Sequence, residues 1–470
     1  MLYFSLLLLI SWYTSRNANQ QSYFNGNKQS AWYLVAFGLI GDSLSGVTFI
    51  SIPGAVYNQQ FGYMQLVLGY LLGYLVIAMV LLPLYYRLNL TSIYSYLGDR
   101  LGNNSQKTGS FFFIVSRLIG AAFRLYISAT VLQLFIFDQW NIPFGVTVSI
   151  VIALILIYTY RGGIKTLVWT DTLQSAFLLM GVILSIVAIA NALELNAIEL
   201  METVKNSKYS TIFFWDWQEK NFFFKQFFSG AFIAIVMTGL DQNMMQKNLS
   251  CKSLGEAQKN IYWFSFVLIF VNLFFVSLGA LLYTYVDTMQ IALPAKTDQL
   301  FPMLALNHLG IFASVVFILG ITAATFSSAD SVLTTLTTSF CIDFLKINPE
   351  EESAKNTRTR HWIHVAFALL LLTVIVLFQK INNDAVINSV FTAAGYTYGP
   401  LLGLFSFGLF TKYKVKDKIV PVVCILSPII VWILDTNSVN WLNGYKFGFE
   451  LLILNGLITF VGLLLLKKGE

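Results

Sequence analysis

The chain has 470 residues, 57% of them hydrophobic and only 11% charged, with a formal net charge of +6. Soluble domains carry about 25% charged residues, so this composition excludes an ordinary soluble globular protein. The positive balance follows from where Lys and Arg fall between apolar segments, and it gives no reason to invoke nucleic acid as a partner.

Apolar runs of about 20 residues, the length an α-helix needs to cross a hydrocarbon core about 30 Å thick, recur from end to end. The short alternating segments of a transmembrane β-barrel are not seen. Spans are predicted near residues 2–14, 31–55, 62–86, 110–137, 143–160, 168–192, 223–246, 258–286, 310–342, 361–380, 385–410, 418–435 and 445–466, thirteen in all. The fold class is therefore an all-α polytopic membrane protein embedded in a lipid bilayer. The polar stretches 87–109, 193–222 and 343–360 are too short for separate domains, so one transmembrane domain over 1–470 is expected.

Basic residues gather in alternate loops, which fixes the expected orientation. One set holds Arg16 and Lys28; Arg87, Arg100 and Lys107; Arg161 and Lys165; Lys247, Lys252 and Lys259; Lys346, Lys355, Arg358 and Arg360; Lys412, Lys414, Lys416 and Lys418; and Lys467 and Lys468. The other holds few, among them Lys205, Lys208, Lys220, Lys296 and Lys446. The first set is read as cytoplasmic, with the N-terminus outside and the C-terminus inside. A plasma-membrane location follows, which in a bacterium is the inner membrane. Residues 1–14 lack a basic leading region and a small-residue cleavage site, so a removable signal peptide is not expected.

In chain order, the second span is the first informative one. Its stretch "GLIGDSLSGVTFISIPG", residues 38–54, packs Gly38, Gly41, Gly46, Gly54 and Pro53 alongside Ser43, Ser45, Thr48 and Ser51. Glycine weakens a helix and proline breaks its hydrogen bonding, so main-chain carbonyls are expected to be freed here. Irregular backbone inside a membrane is tolerated where it lines a cavity, and it recurs at the ion and substrate sites of secondary transporters. An ordinary kinked span is the plainer alternative.

The fourth span carries Arg117 and Arg124 on one helix face. Arginine is a fork-shaped ligand for carboxylates, so Arg124 suggests a carboxylate-bearing solute; equally, it could pair with Asp42 at similar depth. In the ninth span, "FSSADSVLTTLTTSF" (326–340) places Ser327, Asp330, Ser331, Thr334 and Thr338 on one helical stripe. Small hydroxyl residues can serve helix packing, the plain reading for the threonines. Two adjacent serines and a carboxylate offer more oxygen than packing requires. Oxygen without thiol or imidazole suits a hard cation.

Cys251, Cys341 and Cys424 are isolated, and His308, His361 and His364 show no catalytic grouping. With no nucleophile and base pair and no metal-ligand set, an enzyme is not expected.

Several long motifs then resemble the sodium/solute symporter family. They are "IYTYRGGIKTLVWTDTLQ" (157–174), "GLDQNMMQKNLSCKSLGEAQKN" (239–260), "FSSADS" and "AAGYTYGPLLGLF" (393–405), in the family's order over nearly the whole chain. Short runs, "PGAVY" and "FRLY", resemble its sodium/proline branch. The resemblance implies a LeuT-type core of two five-helix inverted repeats over 31–410, with a peripheral first helix and loop (1–30) and two peripheral C-terminal helices (411–470). It implies sodium as coupling ion, held by main-chain oxygens of Gly41, Leu44 and Ala324 and the hydroxyls of Ser327 and Ser328. A second cation site would involve Asp171 with Asp330 and Ser331, the carboxylate of Asp330 standing where the family pattern has a hydroxyl. Asp42, Ser45, Thr48 and Arg124 are the expected solute contacts. The function implied is sodium-coupled import of a small organic solute (amino acid, sialic acid or organic acid) by alternating access. A proton-coupled symporter, or an uncoupled sensor or channel on the same architecture, stays open at this point.

Overall fold

A computed structural model describes residues 2–16, 19–351, 353–381 and 386–468. Among them every element is helical, apart from two isolated bridges, Ser30 with Cys251 and Val415 with Lys467. In chain order the main helices are α1 (Leu2–Ser15), α2 (Trp32–Ser43), α3 (Gly46–Gln59), α4 (Tyr63–Val76) and α5 (Asn103–Leu132). Then come α6 (Phe144–Thr159), α7 (Gly163–Ala192), α8 (Phe223–Ala234), α9 (Gln242–Asn248), α10 (Leu254–Met289) and α11 (Gly310–Ser339). The last are α12 (Ala354–Ile381), α13 (Val386–Thr397), α14 (Gly399–Phe410), α15 (Val420–Trp441) and α16 (Leu451–Leu465).

Seven helical stretches among the described residues are long and apolar enough to cross a membrane, and the bent pair α8–α9 makes an eighth. Helices α1, α6, α14 and α16 are apolar but shorter. Thirteen is therefore not a number the helices return directly, because several predicted spans are assembled from two short pieces. Residues 385–410 divide into α13 and α14 at Tyr398; Ala385 itself lies outside the described residues.

Two interruptions matter most. The second predicted span divides at Leu44 and Ser45, whose ψ angles of 83° and −179° leave the helical region. The last bond of α2 runs from the Leu44 N–H to the Ile40 carbonyl, and the next from the Phe49 N–H to the Ser45 carbonyl. The carbonyls of Gly41 through Leu44 thus fall between two ladders. Pro53 lies inside α3, well past the break, so the interruption is not made by the proline. The seventh predicted span, expected to be continuous over 223–246, is interrupted as well. Helix α8 winds through a π-turn at Ile235–Gly239, and the chain bends by 67° before α9. Asp241 caps α9, accepting from the Met244 N–H at 3.2 Å.

Helix α11 packs against α5 and the α6–α7 unit, α2 also lies on α6–α7, and α3 lies on α10. The joint between α6 and α7 is Gly163, whose φ of 53° and ψ of −147° are open to glycine almost alone. Helices α4 and α8 meet backbone to backbone: a Cβ on Gly69 would collide with the Phe227 carbonyl, and one on Gly230 with the Leu66 carbonyl.

Candidate ion and solute site

The two interruptions face a common cavity of about 90 Å³. Asp42, Ser45 and Thr48 come to it from the first break, Arg117 and Arg124 from α5, Met237 and Met244 from either side of the second, and Asn272 from α10. All four expected solute contacts therefore reach one space. A neighbouring recess lined by Lys220, Gln226 and Asp435 shares Tyr63 and Phe391 with it.

The ionic groups around this cavity are arranged unequally. Arg117 Nε donates to Asp241 Oδ2 at 2.5 Å, and the Tyr398 hydroxyl donates to the same oxygen at 2.6 Å. Asp241 thus spends one oxygen on capping α9 and the other on Arg117 and Tyr398. Asp42 does not pair with Arg124: its Oδ2 is held by the ammonium of Lys247. The Arg124 guanidinium lines the cavity with no hydrogen bond or ion pair to any described residue.

On α11, Ala324, Ser327 and Ser328 are buried. Ser328 Oγ donates back to the Ala324 carbonyl at 3.0 Å. Ser327 Oγ is buried without a partner among the described residues. It faces the first break, since a Cβ on Gly41 would come within 3.2 Å of it. The Gly41 N–H is itself engaged, donating to Ser175 Oγ at 2.9 Å. An unpartnered buried hydroxyl beside carbonyls released from a helix ladder is the donor chemistry a small hard cation needs, and glycine is what allows the approach. Several threonines of the same helix serve packing. Thr335 Oγ1 donates to Asn243 Oδ1 at 2.9 Å, Thr337 meets His364 at 3.0 Å, and Thr338 accepts from Gln246 at 3.1 Å.

The residues expected to form a second cation site divide into two groups. Asp171 Oδ2 and Ser331 Oγ both contact Lys247 Nζ, at 2.5 and 2.7 Å. Asp330 turns away, accepting from the Tyr158 hydroxyl at 2.7 Å. The charge pattern assigns Lys247 to a cytoplasmic loop; instead it is 1% exposed. Its neighbours in α9 are also polar and buried, Gln242 binding the Ile93 N–H at 2.9 Å and Asn248 binding Asn260 at 2.6 Å. Residues 239–248 are legible as a motif but not as a buried polar plug. Arg117, Asp241, Tyr398 and Lys247 escape sequence reasoning as members of the site.

A helical membrane protein whose polar centre lies between two interrupted spans has the architecture of a secondary transporter. Residues 23–417 match the sodium:solute symporter family, and the chain belongs to that family, whose members are transporters rather than enzymes and couple solute movement to sodium. It is similar to the sodium/sialic acid symporter NanT of Aliivibrio fischeri, 23% identical over 95% of this chain and 89% of that one. It is likewise similar to the sodium/sialic acid symporter SiaT of Proteus mirabilis (24%, over 87% and 83%) and the sodium-coupled monocarboxylate transporter 1 of Mus musculus (25%, over 87% and 69%). Among solved structures, the substrate-bound outward-open state of a Na+-coupled sialic acid symporter superposes with a TM-score of 0.83, covering 99% of this chain and 97% of that one at 20% identity. The closed form of Mhp1, a nucleobase-cation-symport-1 family transporter, gives 0.53 at 11% identity, over 95% and 93%. These likenesses bear out the LeuT-type helical fold.

Proposed function

We propose that this symporter imports a small organic solute bearing a carboxylate, which Arg124 receives in the cavity between the two breaks. One observation carries the reading: Arg117 and Lys247 are each satisfied by aspartates, while the Arg124 fork lines the cavity with no ion pair or hydrogen bond among the described residues. The relatives named for sialic acid and for monocarboxylates, both carboxylate solutes, support it. The recess at Lys220, Gln226 and Asp435 supplies a route in from segments the charge pattern puts outside, with Tyr63 and Phe391 between it and the cavity.

Sodium is held by the carbonyls of Gly41, Leu44 and Ala324 and the hydroxyls of Ser327 and Ser328. Bound there, it ties the first interrupted span to α11. Ser45 and Thr48, just beyond the break, are fixed by the same event, so sodium and solute each raise the other's affinity by the same factor. Movement of one helix bundle against the other then exposes both to the inside.

The test is sodium-driven uptake of sialic acid and of a monocarboxylate such as lactate into proteoliposomes. Ser327→Ala with Ser328→Ala is expected to raise half-saturating sodium by about 10-fold or more, the equivalent of about 1.4 kcal/mol. Arg124→Gln is expected to weaken a carboxylate solute by roughly 10- to 100-fold, as loss of a charge-assisted hydrogen bond implies. Unchanged sodium affinity in the first variant, or unchanged solute affinity in the second, refutes the corresponding assignment.

A further inference from the structure

Lys247 stands at the end of the half-helix α9, and its ammonium is enclosed by oxygens from three other elements. They are Asp42 of α2, Asp171 of α7 and Ser331 of α11. A lysine ammonium carries three N–H donors, and here each has a partner. The side chain is wholly inside the protein, where a charge persists only when it is paired and hydrogen-bonded.

An alkali cation at this point would need the same oxygens. A carboxylate from α7 and a hydroxyl from α11 form the donor set expected for a second ion, and both are already turned onto Nζ. Lysine and a free cation cannot share them, because like charges at contact distance in a water-poor interior repel by several kcal/mol. Asp330, the third residue of the expected ion site, is bonded instead to Tyr158 and to the Ser331 N–H.

We propose that Lys247 is a tethered cation in the second cation position, so that one sodium ion, the one beside Ser327 and Ser328, accompanies each transport cycle. The proposal deepens the sodium-symport reading and rests on it. Lys247 holds α2, α7 and α11 together as a mobile ion would, but it cannot leave. The second position therefore contributes cohesion to the protein and no driving force to transport.

The experiment counts radioactive sodium bound per chain by the purified full-length protein in detergent, with sodium as the sole probe. Wild type is expected to bind one ion. Lys247→Gln, which removes the charge and leaves Asp42, Asp171 and Ser331 in place, is expected to bind two, and Lys247→Arg to keep one. Adding Ser327→Ala and Ser328→Ala to Lys247→Gln should bring the count back to one. Two ions in wild type overturn the proposal outright, whatever the variants do, as does a Lys247→Gln protein that is monodisperse and still binds one. No sodium bound by wild type is a different failure, since it removes the sodium site itself and the symport reading with it.

Discussion

At the residue scale the polar centre divides into fixed pairs and free groups. Arg117 with Asp241 is a fixed pair, buried on both sides and tightened by Tyr398. Removing one member of such a pair strands the other as an uncompensated charge, at a cost of about 3–5 kcal/mol. Asp241→Asn, whose amide oxygen can still cap α9 but which strips Arg117 of its counter-charge, should therefore collapse the thermal unfolding midpoint in detergent. Tyr398→Phe forfeits a single hydrogen bond to a charged group, about 1.5–3 kcal/mol, and should leave the protein folded with Arg117 still held. Equal losses in the two variants would count against this ranking. Ser327, Asp330, Asp42 and Arg124 are legible in the sequence because each is a polar residue inside an apolar run. Lys247 is not. It sits where an apolar span gives way to polar residues, and by the charge rule for loops such a lysine reads as a solvated flanking base. Only the fold shows that the chain turns inward there.

At the element scale, the first interruption announces itself through clustered glycines, although those residues act by allowing close approach more than by breaking the helix. Gly41 makes room for Ser175 and Ser327, and the prolyl residue expected to break the ladder is accommodated inside α3. The second interruption has weaker local chemistry. Gly239 and Asp241 suffice only because Asp241 can cap α9 while Arg117 and Tyr398, from distant parts of the chain, hold its other oxygen. Long-range partners of this kind cannot be read from local sequence. The α6–α7 joint offers a sharper test. At Gly163 the backbone is in a region that costs a side-chain-bearing residue about 1–3 kcal/mol, and a Cβ would run into Tyr23. Gly163→Ala should lower the unfolding midpoint by several degrees, whereas Gly255→Ala, with open space around it, should not. If the two behave alike, the joint is not constrained as described.

For the whole molecule, the sodium gradient drives every cycle, and the membrane potential adds to it in proportion to the net charge carried. One positive charge moving inward across 100 mV releases about 2.3 kcal/mol, enough for about 50-fold accumulation. A single sodium ion travelling with a singly charged carboxylate carries no net charge. Uptake of such a solute should then follow the sodium gradient and be indifferent to an inside-negative potential imposed with valinomycin and potassium. Clear acceleration by the potential would show that more positive charge accompanies the solute. The all-helical architecture is legible from the spacing of apolar runs, since a bilayer imposes length and internal hydrogen bonding on every span. The number of full-length crossings is not, because hydropathy does not distinguish a straight rod from two half-helices meeting at an elbow.

The seam between α4 and α8 has a mechanical corollary. Helices padded by side chains can slip past one another by a notch as rotamers change, but these two touch through bare main chain at Gly69 and Gly230, with no soft layer between them. They lie far apart in the sequence, yet they must swing as a single leaf. The hinge lines of the transport stroke therefore have to run around this pair.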